Sequence, residues 1–257
     1  MPKAITALLA TALAAAVPAF VFSAPAQEVE RDVPYVPTPQ PVVDAMLKLA
    51  GVKAGDHHID LGCGDGRIVV TAAKRYGTRG LGVDIDPERI REARFNADAA
   101  GVLDRVKFRR ADLFQTDISR ADVLTLYLLP SVNMRLRPTI LARLKPGTRV
   151  VSHDFDMGDW PPDQRLRVPE EGSDIYLWIV PANVAGRWRV TGPANQEFEV
   201  ELDQRFQRLQ LGEGGQGRVT GDRVTFALPD RTRFDGRVNG QAITATNGWR
   251  AVRIGDL

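Results

Sequence analysis

The sequence has a single cysteine, Cys63, and only three histidines, His57, His58 and His153. One thiol can form no intramolecular disulfide and build no cysteine-based zinc cluster. The histidines lack the i, i+4 spacing of a helical metal site, so a metal has no support in the pattern. Charge of one sign is missing too: 34 basic and 32 acidic residues leave a formal net charge of +2. That balance gives no electrostatic ground for nucleic-acid binding, and none is expected. Lysine is scarce and absent after Lys145, with arginine in its place, which reads as a genome-level codon preference. Long apolar runs are missing except at the start. Lys3 is followed by an uncharged, alanine-rich stretch, residues 4–22, and then by Ala24-Pro25-Ala26. This is the anatomy of a secretory signal, residues 1–26, with the mature chain starting at Gln27 and lying in the periplasm or outside the cell. The alternative is an uncleaved membrane anchor, since ~19 apolar residues just reach the span of a bilayer. Either reading leaves room for a membrane or envelope association.

The 257-residue chain as a whole is 44% hydrophobic, enough for one large core, or a medium one beside a small one. Thr38 offers a capping oxygen with Pro39 at the first helical position. Val42, Val43, Met46, Leu47 and Ala50 follow at helical spacing, and Gly51 stops the helix. An apolar strand at 58–61 runs into a glycine-rich turn and a helix ending near Tyr76. A second strand at 80–84 precedes Asp86-Pro87, a strong helix start, with Ile90, Ala93, Ala97 and Ala100 on the buried face. Further strands are expected at 106–112, 122–127, 149–153 and 175–180. A helix opening at Ser131 carries Val132, Leu136, Ile140 and Leu144 at intervals of four, and Pro138 should kink or divide it. Strand and helix alternating in this rhythm predict a doubly wound parallel sheet, a Rossmann-like α/β domain over 27–184.

After Val184 the texture changes. Short runs at 188–190, 197–202, 206–211, 223–228, 234–238 and 242–246 are punctuated by Gly, Asn, Asp and Pro. Residues 185–257 therefore read as a small all-β unit, a sandwich fragment or a barrel, separable from the first domain. Trp188, Phe206, Phe226, Phe234 and Trp249 are its expected core.

The chemistry is concentrated at Asp60-Leu61-Gly62-Cys63-Gly64-Asp65-Gly66. A strand, a glycine turn and a helix in succession make a nucleotide cradle, because glycines admit close backbone approach and the helix start carries positive partial charge. A dinucleotide fingerprint would need a third glycine where Arg67 stands. The pattern is instead G-x-G-x-G preceded by an acid, with a second acid, Asp84, ending the next strand. Cys63 fills a place that needs a small residue.

This segment resembles the first motif of class I S-adenosylmethionine-dependent methyltransferases. The resemblance covers about residues 34–182 and implies a seven-stranded sheet with a reversed hairpin at one edge. It implies S-adenosylmethionine as cofactor, with Asp60, Gly62 and Gly64 facing its methionine part. Asp84 would then take the ribose hydroxyls, and Asp112, followed by Leu113, would take the adenine amino group. More narrowly, Pro34-Tyr35-Val36-Pro37-Thr38-Pro39, the glycine motif through Val69, and Asp112-Leu113-Phe114 are similar to a small group of protein-lysine methyltransferases. The best-known members of that group are anchored in mitochondrial membranes and modify membrane proteins of energy metabolism. In that group the segment before the first helix closes over the cofactor, which would bring Tyr35 and Thr38 near the methyl group. Tyr127-Leu128-Leu129-Pro130 after the fourth strand and the β tail depart from the group's pattern.

Methyl transfer from a sulfonium needs alignment more than acid–base help. Tyr127 and Pro130 are the candidates for the acceptor pocket's wall, although Tyr127 reads equally well as a packed core aromatic. His153 and Asp154 stand at the same sheet edge, either as a base pair or as a loop hydrogen bond. The expected function is methyl transfer to a protein or a small molecule, with a protein lysine favoured. The alternative is an exported binding protein whose β module carries the function while the first domain binds ligand without turnover.

Overall fold

The computed structural model describes residues 35–212, 214–227, 233–245 and 248–256. The expected export segment, residues 1–26, lies outside the described residues. Among those described, no helix is long and apolar enough to cross a membrane.

The first half alternates as expected: α1 (Gln40–Leu49), β1 (His57–Leu61), α2 (Arg67–Tyr76), β2 (Arg79–Asp84), α3 (Pro87–Ala99), β3 (Val106–Arg110), β4 (Val123–Leu126), α4 (Pro130–Arg143) and β5 (Arg149–His153). Two antiparallel strands, β6 (Gln164–Val168) and β7 (Ser173–Ile179), complete a seven-stranded sheet in the order β3-β2-β1-β4-β5-β7-β6. The order reverses at β1, so the C-terminal ends of β1 and β4 flank the crevice where open α/β sheets bind ligands. Period-two alternation covers both faces: Ile59, Leu61, Leu124 and Val150 face α4 and the two tryptophans Trp160 and Trp178. Val123, Val151 and Leu177 face α1 and α2 on the other side.

Three local expectations are corrected. Thr38 does not cap α1; Pro39 holds the cap position without a side-chain bond, and the Thr38 hydroxyl is engaged by the buried His153 instead. α4 is not divided at Pro138. Both Pro138 and Met134 lie on the exposed face, so the carbonyl that loses its partner can be hydrated. α4 also starts one residue early, with Pro130 at its first position, where a missing N–H costs nothing.

The second half is a closed antiparallel barrel of β8 (Gly186–Thr191), β9 (Glu197–Arg205), β10 (Arg208–Leu211), β11 (Gln216–Thr220), β12 (Arg223–Ala227), β13 (Arg233–Asn239), β14 (Ala242–Ala245) and β15 (Arg250–Gly255). Pairing of β15 with β8, Ala251 opposite Val190, closes it. Trp188, Val190, Leu202, Phe226, Phe234 and Ile243 fill the interior, with Phe226 stacked on Phe234 at 4.7 Å. A barrel of eight strands is just wide enough for its own side chains to fill. Phe206 is not part of that core. It stands at the tip of the β9–β10 hairpin with φ 56° and stacks on Trp160 of the α/β domain at 5.8 Å. Trp249 is half-buried, edge-on to Phe198. The described residues all fall within one compact unit.

Candidate functional site

The site is built on the C-terminal edge of the parallel strands. β1 delivers Asp60 and then turns through Gly62 and Gly64, whose φ angles are 75° and 53°. Backbone N–H groups of Gly62 and Cys63 donate to the Val83 carbonyl at 2.8 and 2.9 Å, tying the turn to β2. Both glycines also have contacts that leave no room for a side chain. A Cβ on Gly62 would lie 2.8 Å from Leu128 Cδ2, and one on Gly64 only 2.5 Å from Tyr35 Cε2. The turn is thus pressed from the β4 side by Leu128 and covered from the N-terminal side by the Tyr35 ring.

Asp84, at the end of β2, accepts the Gly64 N–H at 2.9 Å with one oxygen and the Asp86 N–H at 2.9 Å with the other. Each oxygen keeps a further lone pair. Asp112 follows β3 and caps the short 3₁₀ turn Leu113–Gln115, accepting from Phe114 N at 2.8 Å and Gln115 Nε2 at 3.2 Å. Leu113 is half-buried beside it.

Asp60 is buried to 1% exposure. Its Oδ1 accepts the Thr125 hydroxyl at 2.7 Å, while Oδ2 has no partner among the described residues. Thr125 Oγ1 in turn lies 2.8 Å from His58 Nε2. Because the Thr125 proton is committed to Asp60, His58 must donate, which fixes its Nε2–H tautomer and leaves Nδ1 bare. Burial, with His57 adding to it, pushes the His58 pKa down to about 3, so the ring is neutral. Burial pushes Asp60 up to about 7 against the Thr125 bond, and the Asp84 charge adds to the rise. Cys63 is buried, and burial followed by Asp60 raises its thiol well above the ordinary value. It is a spacer, not a nucleophile.

The N-terminal segment is fastened at two points. Arg67 Nη1 donates to the Thr38 carbonyl at 2.8 Å while its guanidinium clasps Asp65. The Arg89 guanidinium lies 4.4 Å from the Tyr35 ring centre. Thr38 Oγ1 is 3.2 Å from His153 Nδ1, and His153 Nε2 meets Ser173 Oγ at 3.0 Å and Asp154 Oδ2 at 3.3 Å. Both His153 nitrogens are engaged and the residue is 1% exposed, so it is a bridge rather than an available base. Burial lowers its pKa, opposed by Asp154. Tyr127 is half-buried at the strand edge, its ring 3.9 Å from that of His153 and 6.2 Å from Phe155. Burial, then the Asp154 charge, raises its phenol pKa, keeping it protonated near neutral pH. Pro130 is exposed at the start of α4.

The structure thus brings Tyr35, Thr38, Asp60, Gly62, Gly64 and Asp84 around one turn. Asp112 and Leu113 stand on the β3 side, Tyr127 and Pro130 on the β4 side. Four contributors were not singled out in the sequence: His58, Thr125, Arg67 and Phe155. Thr125 carried a signal, a polar residue inside an otherwise apolar strand. Among the described residues no cluster suited to a metal is present.

An unpartnered carboxylate oxygen buried beside a glycine turn fits an ammonium group, and an acid at the end of β2 with spare lone pairs fits a diol. The residues therefore suit S-adenosylmethionine, and fold and turn together define a class I methyltransferase domain. Residues 60–164 match the profile of the ANTKMT methyltransferase domain. A protein-lysine N-methyltransferase of Saccharolobus islandicus is 47% identical over 58% of this chain and 94% of its own length. The adenine nucleotide translocase lysine N-methyltransferase of Mus musculus is 36% identical over 60% of this chain and 65% of its own. A Salinibacter ruber structure, described as an RNA methyltransferase in complex with S-adenosyl-L-homocysteine, is 56% identical with TM-score 0.56, covering 58% of this chain and 96% of that one. The chain belongs to this family of S-adenosylmethionine-dependent methyltransferases.

The Asp60 environment yields a prediction with a definite sign. A carboxyl raised from 3.8 to about 7 on folding contributes stability that is whole below its unfolded pKa and is lost as pH rises through the folded one. Asn is isosteric and does not titrate. The melting temperature of cofactor-free Asp60→Asn, minus that of the parent, should widen from pH 4 to pH 7 and level off above. A difference that stays flat across that range would show that Asp60 ionises in the fold without penalty.

Proposed function

We propose that this enzyme methylates the side-chain amine of a protein lysine, holding the cofactor over the Asp60–Gly64 turn. Asp60 Oδ2 takes the ammonium of the methionine part, Asp84 the ribose hydroxyls, and Asp112 with Leu113 the adenine. Tyr35 and Thr38 close that side. The bound cofactor supplies an activated methyl on a sulfonium, so the protein's task is to present a neutral amine in line with it. The acceptor side is the wall of Tyr127 and Phe155 beyond Leu128. An aromatic, partly desolvated wall lowers a lysine's pKa and so favours the free amine that attacks.

The observation that carries the proposal is the buried Asp60 oxygen without a partner. The lysine acceptor is drawn from the two relatives named for lysine methylation. An RNA acceptor is the second reading, favoured by the Salinibacter ruber description. RNA binding needs cations available to phosphates. The arginines beside the turn are instead engaged, Arg67 by Asp65 at 2.6 Å and Arg89 by Glu92 at 2.7 Å. Protein is therefore the better reading.

Three measurements follow. Asp84→Ala removes the diol's partner and frees the Gly64 N–H it holds, so S-adenosylmethionine should bind roughly ten- to a hundredfold more weakly by calorimetry. Binding equal to the parent's would remove Asp84 from the cofactor site. Cell extract incubated with enzyme and methyl-labelled cofactor should yield label that protease releases and that hydrolysis returns as methyl-lysine; release by ribonuclease instead would establish the RNA reading. The export reading of residues 1–26 belongs to the same proposal, and N-terminal sequencing of protein made in a bacterial host should find Gln27 first. An intact start at Met1 or Pro2 on membrane-bound material would replace export with anchoring.

A further inference from the structure

The connection from β5 to β6, residues 154–163, is held from both sides. From the α/β domain, Asn133 Nδ2 donates to the carbonyls of Phe155 and Asp156 at 3.2 and 3.3 Å, and Arg137 Nη1 to that of Met157 at 2.8 Å. From the barrel, Arg205 Nη2 meets Asp159 Oδ2 at 2.7 Å and Gln207 Nε2 donates to the Pro161 carbonyl at 2.7 Å. Arg218 pairs with Asp163. Phe206 lies flat on Trp160, at 17° between planes. Its left-handed backbone is uncommon for a bulky residue and is sustained only where surroundings over-determine it. Here a two-residue hairpin tip and the tryptophan face do so, and Gln207 beside it is 1% exposed.

The same connection ends on the acceptor side. Phe155, second residue of the segment, stacks on Tyr127 at 6.2 Å and 16°. Tyr127 adjoins Leu128, which presses on Gly62. Only four residues lie between Phe155 and Trp160, so a shift at the barrel end is passed to the aromatic wall through a short, tethered chain. We propose that the barrel is a positioning element of the methyltransferase site: its Phe206–Gln207 tip, with Arg205, sets the place of the 154–163 connection and through it the Tyr127–Phe155 wall that receives the acceptor. The barrel would thus act on acceptor use and leave cofactor binding alone. This rests on the acceptor side lying at Tyr127, as read above, and is indifferent to whether the acceptor is protein or RNA.

The test uses the full chain with Phe206→Ala, Gln207→Ala and Arg205→Ala, the last removing only an exposed ion pair and so sparing the fold. Cofactor affinity is read by calorimetry, amide exchange over 155–160 by mass spectrometry, and total label transferred from methyl-labelled cofactor as a function of cell-extract concentration. The expected result is an S-adenosylmethionine Kd within twofold of the parent and faster exchange over 155–160. The half-saturating extract concentration should rise for each variant, roughly tenfold for Phe206→Ala because small misplacements of reacting groups are costly. Phe206→Tyr, which keeps the stacked ring, should restore it. Transfer curves matching the parent's despite faster exchange would overturn the proposal, as would cofactor affinity falling in step with transfer. Counting label in every polymer keeps this result separate from the identity of the acceptor.

Discussion

A carboxylate buried at the end of the central strand is the constraint around which this molecule is arranged. Asp60 is enclosed by β2 and β4 and bonded on one side to Thr125, with its other oxygen buried and without a partner among the described residues. An isolated buried charge is too costly to keep without a partner. The group therefore carries its proton more readily than an exposed acid until a cation is offered. The His58–Thr125 relay points donors at it and moderates that penalty. A site that is strained toward one ligand charge is in this way prepared before the ligand arrives.

Around that point the sheet edge divides by strand. The ends of β1, β2 and β3 supply acids and glycines, suited to a polar, diol-bearing nucleoside with an amino acid attached. The ends of β4 and β5 supply Tyr127, Phe155 and the His153 bridge, suited to holding a side chain away from water. His153 joins the two halves, since its ring bears on Tyr127 while its Nδ1 meets Thr38 of the covering segment. Burial lowers its pKa against the opposing Asp154 charge, which disfavours a charged ring at this bridge. The segment that covers the glycine turn and the aromatic residue Tyr127 thus share one buried ring.

The glycine turn and the acids at 60, 84 and 112 were legible because their chemistry is local: strand, turn and helix follow one another along the chain. The central parallel strands β4 and β5 were legible because burial on both faces makes them largely apolar runs, and β3 because Val106 and Phe108 alternate with exposed charged residues. β6 was not, because four of its five residues are exposed and it carries only Val168 inward. Strands β11 and β15 escaped for a similar reason, each having one fully buried inward residue, Val219 or Ala251. The His58–Thr125–Asp60 relay joins residues 65 and 67 positions apart, and no local pattern reports such a pairing. Phe206 was misread because an aromatic residue in a β-rich stretch suits a barrel interior, whereas a two-residue turn points it outward onto Trp160.

The outward position of Phe206 also bears on what the barrel is for. A small barrel can serve as a container only if its interior is open, and here Trp188, Phe226 and Phe234 occupy it. Its outward faces carry ion pairs such as Arg223 with Asp235 and Arg237 with Asp222, all well exposed. Pairs of that kind contribute little to stability and leave no strong field to attract a charged partner. Phe206 and Gln207 depart from this solvent-facing pattern, and together with the exposed Arg205 and Arg218 they contact the 154–163 connection. Residues that would otherwise be spread over a polar surface are thus gathered at one seam. The seam borders the loop that carries half of the aromatic wall, so the barrel's specific chemistry is directed at the methyltransferase domain itself.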